Sequence, residues 1–252
     1  MKRLFVILVL CLAAALPAQQ KKNPEKINLR TLDAEKFLNI VRHAPSREVW
    51  SKLSGRIQHR REGAAALSGT LRLGVRFTPD RIIGQLVLDG NEIYNLGQTF
   101  SNPPRSTRML AGDALDRNKA KLGIYGLSPD DLLLGFLYKE PIREQPEEKV
   151  SLYNCRVFVM NVPESGEFAR VFISTDYAFP LKVEWFRKNP VEDPEAEPYR
   201  TMEIVSIKED GDFVLISKLR LDGPGWRTKI EFQETKAGYA SDSVPADLFL
   251  KK

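Results

Sequence analysis

Few residues in this chain could do chemistry, and they are scattered. It holds 2 histidines, 2 cysteines and 3 tryptophans. His43 falls near the end of a helical pattern and His59 in a strand pattern beside Arg60 and Arg61. Neither has a Cys, Asp or Glu at ligand spacing, which argues against a zinc or iron site. There is no Gly-x-Ser-x-Gly, no His-Glu-x-x-His and no phosphate-cradling glycine loop. Asp130 and Asp131 could form a general acid/base pair, but helix capping accounts for both. Ser128 suits an N-cap, Pro129 the first helical position and Asp131 the third position of a capping box, and both carboxylates complement the helix dipole. Trp50, Trp185 and Trp226 could make a sugar platform, yet each lies in a strand pattern where core or rim packing is the default. Cys155 sits in the strand-like Tyr-Asn-Cys-Arg-Val-Phe-Val-Met and reads as a small buried hydrophobe. The expectation is a protein that is not an enzyme, with no catalytic residues, no metal and no cofactor.

The apolar residues are more informative. Residues 128–138, Ser-Pro-Asp-Asp-Leu-Leu-Leu-Gly-Phe-Leu-Tyr, predict a short helix that is apolar on nearly every side. Such a helix must be enclosed or must meet something greasy. Gly135 in its body costs roughly 1 kcal/mol relative to Ala and allows either close packing or a hinge. Around it, Leu71, Leu73, Val75 and Phe77 share one strand face, Leu86 and Leu88 a second, and Leu181, Val183 and Trp185 a third. These faces, with Leu132, Leu133, Phe136 and Leu137 of the helix, predict either a closed core or a greasy trough under a lid.

The elements that must position them are mostly strands. Residues 1–18 read as a cleavable export signal, with basic Lys2 and Arg3, an apolar stretch from Leu4 to Ala15 and Leu-Pro-Ala at 16–18. The apolar run is too short for a comfortable membrane span, and Leu10 before Cys11 does not suit a lipoprotein signal. The expected mature protein is soluble, exported, and one domain over 19–252. With Cys11 removed, Cys155 has no disulfide partner. The net charge of +5 is spread among interleaved acidic residues, which excludes a nucleic-acid stripe. A helix is predicted over 33–44, from Phe37, Leu38, Val41 and Ala44 at helical spacing with Pro45 following. From Trp50 the period becomes two. Strands are expected through 71–77, 81–88 and 92–96, with Asp89-Gly90 a hairpin turn. More follow near 150–162, 168–175, 180–188, 199–209, 213–221 and 226–235. Residues 101–123 read as an irregular basic loop with a possible short helix at 112–122, and 190–198 as an acidic, proline-rich loop. So many consecutive strands without interleaved helices imply an antiparallel meander curling into a barrel or half-barrel.

Three stretches carry a resemblance to a known family: Leu71-Arg-Leu-Gly-Val-Arg-Phe-Thr-Pro-Asp-Arg through Leu88-Asp-Gly-Asn-Glu-Ile-Tyr-Asn-Leu; Ser128 to Tyr138 followed by Asn154-Cys-Arg-Val; and Ala169-Arg-Val-Phe-Ile-Ser-Thr-Asp-Tyr, Pro180-Leu-Lys-Val-Glu-Trp, the Trp226 to Phe232 strand and the Val244-Pro-Ala-Asp-Leu-Phe tail. In this order, behind an export signal, they resemble the LolA-like outer-membrane lipoprotein-sorting proteins over roughly residues 50–250. The resemblance implies a mainly β, α+β fold: an open antiparallel half-barrel of about eleven strands, with short helices covering its concave face. It implies a periplasmic carrier that shields the acyl chains of lipoproteins, with an inner-membrane donor and an outer-membrane acceptor as partners. A carrier of another lipid, or an envelope-stress regulator on the same fold that touches its partner through 101–123 and 190–198, is the alternative. In the best-known carriers a basic residue before a proline turn helps lock the lid. Here Thr78 precedes Pro79, and the nearest basic residues are Arg76 and Arg81.

Overall fold

The computed structural model describes residues 8–9, 28–42, 48–100, 105–163, 165–211 and 213–251. The elements are β1 (Leu8–Val9), α1 (Ala34–Arg42), β2 (Val49–Arg61), β3 (Leu67–Phe77), β4 (Arg81–Leu88), β5 (Glu92–Thr99) and β6 (Ser106–Gly112). Three 3-10 turns follow at Asp113–Leu115, Pro129–Leu133 and Gly135–Tyr138. Then come β7 (Glu140–Val150), β8 (Tyr153–Val162), β9 (Glu167–Ser174), β10 (Phe179–Phe186), β11 (Arg200–Asp210), β12 (Phe213–Gly223) and β13 (Trp226–Tyr239). Apart from the two-residue β1, which pairs in parallel with Phe213 and Val214, all neighbours are antiparallel.

Two meanders make one sheet. The order is β6-β5-β4-β3-β2-β13-β12-β11-β10-β9-β8-β7. The halves β2–β6 and β7–β13 join where β2 pairs with β13, from Val49 opposite Tyr239 to Arg61 opposite Trp226. Tight turns hold the meanders: at the β4–β5 hairpin Asp89 and Gly90 have φ of 49° and 75°, the geometry Asp-Gly is suited to. The sheet does not close, and β6 and β7 are its two edges. To pass from β6 to β7 the chain must travel from one edge to the other, so residues 113–139 cross the open side. This topology places the apolar 128–138 stretch over the concave face.

The inward-facing alternate residues of the strands, α1 and the crossing segment share one apolar core. Phe37, Leu38 and Val41 are the buried stripe of α1, and Phe37 stacks on Phe158 with centroids 5.8 Å apart. Asp33 Oδ1 accepts the Lys36 N–H at 2.8 Å and caps the helix.

Several expectations need correcting. The open antiparallel half-barrel itself is as expected, with twelve antiparallel strands among the described residues against about eleven, and the two that the sequence pattern misses are the edges. β6 lies in the stretch read as an irregular loop. β7, Glu-Pro-Ile-Arg-Glu-Gln-Pro-Glu-Glu-Lys-Val, is exposed along nearly its whole length and carries bulges after Pro141 and Gln145. An edge strand needs neither apolar alternation nor every N–H, so charge and proline are tolerated there. The helix possible at 112–122 is only the 3-10 turn Asp113–Leu115 followed by further turns. The helix predicted at 128–138 is two 3-10 turns broken at Leu134, whose φ is 56°. A straight α-helix would point part of its apolar surface away from the sheet. The break lets Leu132, Leu133, Leu134, Phe136 and Leu137 all reach the interior, each at most 8 % exposed. The predicted cleavage site and His43 lie outside the described residues.

Candidate functional site

All thirteen residues expected to line the apolar interior are buried in the one core: Leu71, Leu73, Val75, Phe77, Leu86, Leu88, Leu132, Leu133, Phe136, Leu137, Leu181, Val183 and Trp185. Only Leu73, Leu132, Leu181 and Val183 border the interior cavity. The rest of its wall comes from Leu134, Phe179, Pro180, Met202, Ile204, Ile216, Leu219 and Phe232, with Asp131 and Lys182 among its lining. The strand alternation of β11 and β12 marks Met202, Ile204 and Leu219 as inward, but not as cavity rather than core. The cavity measures about 20 Å³, room for about one water molecule. A pocket for a lipid-sized ligand spans hundreds of Å³. The interior is nearly filled, and the crossing segment contributes to filling it.

That segment is clasped at both ends by arginines that the sequence reading did not single out. At its start, Arg200 of β11 donates from Nη1 to Asp131 Oδ2 at 2.7 Å and from Nη2 to Asp131 Oδ1 at 3.1 Å. Arg200 Nη1 also reaches the Gly126 carbonyl at 3.1 Å. Its guanidinium lies 3.7 Å from the centroid of the Trp185 ring, and Trp185 meets Phe136 edge-on at 5.9 Å. At the other end, Arg42 of α1 donates to the carbonyls of Leu137 and Lys139 at 2.5 and 2.7 Å. Burial pushes the Arg42 pKa down from its ordinary value. A signal for both was present. Arg200 shares the inward parity of Met202 and Ile204, and Arg42 follows Leu38 by four residues on the buried side of α1.

Between the clasps the contacts are apolar. Leu133 rests on Gly84 of β4, where a Cβ would stand 2.7 Å from Leu133 Cδ2. The absence of a side chain at 84 is what admits the segment this close. Asp131 keeps part of its expected capping role, since its Oδ2 accepts the Ser128 N–H at 2.7 Å. It is also half of a buried ion pair, with side chains 13 % and 5 % exposed for Arg200 and Asp131.

The other polar candidates are structural. Thr78 closes the β3–β4 turn, donating from Oγ1 to Asp80 Oδ1 at 2.6 Å; Arg76 pairs with Glu48 and Arg81 with Asp80. His59 is buried against Trp226 and Tyr125. Thr228 Oγ1 donates to the Tyr125 carbonyl at 2.6 Å, so His59 Nδ1 must be the donor in its 2.8 Å contact with Thr228. Burial pushes the Cys155 thiol up to about 11, and it packs without a disulfide. The tryptophans form no common platform: Trp185 faces Phe136 of the crossing segment, Trp226 lies against Gly126, and Trp50 donates to the Ser243 carbonyl at 2.6 Å. Among the described residues no group of three His, Cys, Asp or Glu could hold a metal, and no helix is long and apolar enough to cross a membrane.

The open antiparallel half-barrel is a LolA-like fold. Solved structures share it. One is a putative outer membrane lipoprotein-sorting protein domain from Vibrio parahaemolyticus, at TM-score 0.56 and 14% identity over 86% of this chain and 97% of that one. Another is a DUF1329 family protein from Desulfovibrio piger, at TM-score 0.53 and 12% identity over 83% and 91%. A LolA superfamily protein from Nitrosomonas europaea matches at TM-score 0.48 and 11% identity over 87% and 98%. No family model and no curated protein matches the sequence.

Proposed function

We propose that this protein is a periplasmic binding protein that takes acyl chains of a lipoprotein, or of another lipid, into the space now filled by the 129–138 lid. The observation that supports it most is the lid itself. Five buried apolar residues cross the concave face, held at the two ends by the Arg200 and Arg42 clasps and between them by apolar contacts. Displacing them exposes side chains worth about 1.5–3 kcal/mol each, or roughly 8–15 kcal/mol together. An acyl chain of about 16 carbons recovers close to 12 kcal/mol on burial at about 0.8 kcal/mol per methylene. The two occupants of the site are thus nearly matched, which is what loading and release both require. An inner-membrane donor and an outer-membrane acceptor would complete the path of such a carrier.

The test is direct. The purified protein should bind a fluorescent fatty acid, a lipopeptide should displace it, and an organic extract should contain bound lipid. A cooperatively folding protein that binds no probe at tens of micromolar and extracts clean would refute the proposal.

A further inference from the structure

The face of the sheet turned away from the apolar interior carries a second feature. On adjoining strands β12, β13 and β2, three neighbouring rows read Asp222–Arg227–Arg60, Arg220–Lys229–Gln58 and Lys218–Glu231–Arg56. Arg60 stands directly opposite Arg227, and Lys229 directly opposite Arg220. Like charges facing each other across strands destabilise a sheet, so these pairs need a compensating role or partner. Some charge is neutralised locally: Arg227 pairs with Asp222, Arg220 with Asp222 and Glu203, and Lys218 with Glu231. Arg56, Arg60 and Lys229 are exposed, and their side chains make no hydrogen bond or ion pair among the described residues. Six cations against three carboxylates leave a local excess of three positive charges.

The contrast with the rest of that face is informative. Further along it, the C-terminal tail lies over the strands. Asp247 pairs with both Lys52 and Arg72, the Leu250 N–H donates to Gln85 at 2.7 Å, and Gly74 backs onto the Leu248 carbonyl. The chain's own carboxylate covers the cations there. The tail brings no carboxylate to Arg56 or Arg60 among the described residues. Instead a depression of about 470 Å³ lies between Gln58, Arg60, Arg227 and Lys229, bordered by Asp222 and Trp226, and another of about 260 Å³ adjoins it between Arg56, Gln58, Ser68 and Thr70, bordered by Asp89, which pairs with Lys121.

We infer that this basic face docks against the phosphate headgroups of an anionic membrane surface. An exposed array of arginine and lysine suits a sheet of phosphates, each cation near such a surface adding to the attraction. The aromatic at its border, Trp226, has its ring packed against Gly126, Gly223 and His59 and does not stand free for nucleic-acid bases to stack on. The choice of a bilayer as the polyanion rests on the carrier proposal, because a protein that takes up acyl chains must meet the membranes that hold them. Docking by this face leaves the lid, on the opposite side of the sheet, free to move.

The experiment is co-flotation of the purified protein with vesicles of phosphatidylcholine alone and of phosphatidylcholine mixed with phosphatidylglycerol. Probe binding to the interior is measured on the same samples. The expected result is binding only to the anionic vesicles, lost when salt is raised from about 0.1 M to about 1 M, which shortens the screening length from about 10 Å to about 3 Å. Arg60→Glu/Lys229→Glu should weaken flotation at least tenfold and Arg56→Gln/Arg60→Gln by less, while interior probe binding and thermal unfolding stay as in the wild type. Equal flotation with both vesicle types, or an unaffected double variant, would overturn the inference. So would release by millimolar inorganic phosphate at constant ionic strength, which would mark a small-anion site, or retention by an oligonucleotide with no flotation. Lost flotation with intact probe binding, or the reverse, tells which of the two proposals fails.

Discussion

Replacing Arg200 by Met tests the lid most sharply. The substitution keeps the length and apolar stem of the side chain and removes the guanidinium that grips Asp131 through two hydrogen bonds of 2.7 and 3.1 Å. Asp131 is 4 % exposed. Orphaning one member of a buried ion pair costs about 3–5 kcal/mol so long as the remaining charge stays buried. Here the orphan sits on the lid, so lid opening is its route to water, and the penalty falls on the closed state alone. Each 1.4 kcal/mol is about a tenfold change in an equilibrium. The open population should therefore rise by a factor on the order of 100–1000. Because the closed interior has room for one water and not for a chain, apparent affinity scales with the open fraction while that fraction is small. A fluorescent fatty acid titrated into Arg200→Met should bind at least tenfold tighter than to the wild type, with unfolding still cooperative. Adding Asp131→Leu replaces the ion pair with an apolar one, which is often neutral or stabilising. The double variant should return to wild-type affinity or weaker. A folded Arg200→Met protein with unchanged affinity would remove the clasp from the mechanism, and loss of folding in the single but not the double variant would make the lid an ordinary piece of core.

The remaining predictions concern packing and one thiol. On the proposed lid mechanism, Phe136→Glu and Leu133→Glu should cost less than the several kcal/mol expected for an unpaired charge in a closed core, because a lid would swing outward, while probe affinity falls strongly; paired thermal unfolding and titration would show it. Gly84→Val should wedge Leu133 off β4, because a Cβ there already meets Leu133 Cδ2 at 2.7 Å; faster proteolysis within 128–139 is the expected readout, and an unchanged cleavage rate would contradict it. Cys155 should resist iodoacetamide in the native protein at pH 8 and react on unfolding, as its pKa is raised by burial to about 11 from an ordinary 9.0. A thiol held protonated by the fold stabilises it below the unfolded pKa, so this contribution should fade as pH rises from 9 toward 11, and a Cys155→Ala variant should lose that part of the alkaline slope.

Local rules in the sequence settled a good deal of this protein. Alternation in Leu71–Phe77, the Asp-Gly turn at 89–90, the stripe Phe37, Leu38 and Val41, and the uniformly apolar run at 132–137 each act over a few residues, so they read directly as strands, hairpin, helix and an enclosed segment. Edge strands escaped because β6 and β7 bury no continuous face and so carry no period. The break at Leu134 escaped because apolar composition says that a segment is covered without saying what shape covers it best. Sequence parity could place Arg200 and Arg42 on inward faces, but not across from the lid. Asp131 and Arg200 are 69 residues apart, and Arg42 and Leu137 are 95 apart. Those meetings exist only because two meanders fuse at β2 and β13, leaving their edges on opposite sides and forcing the connection to cross the concave face. Whether that face is a trough or a core was likewise beyond any local pattern: strands lining either look the same, and only the volume left once the lid is seated separates them.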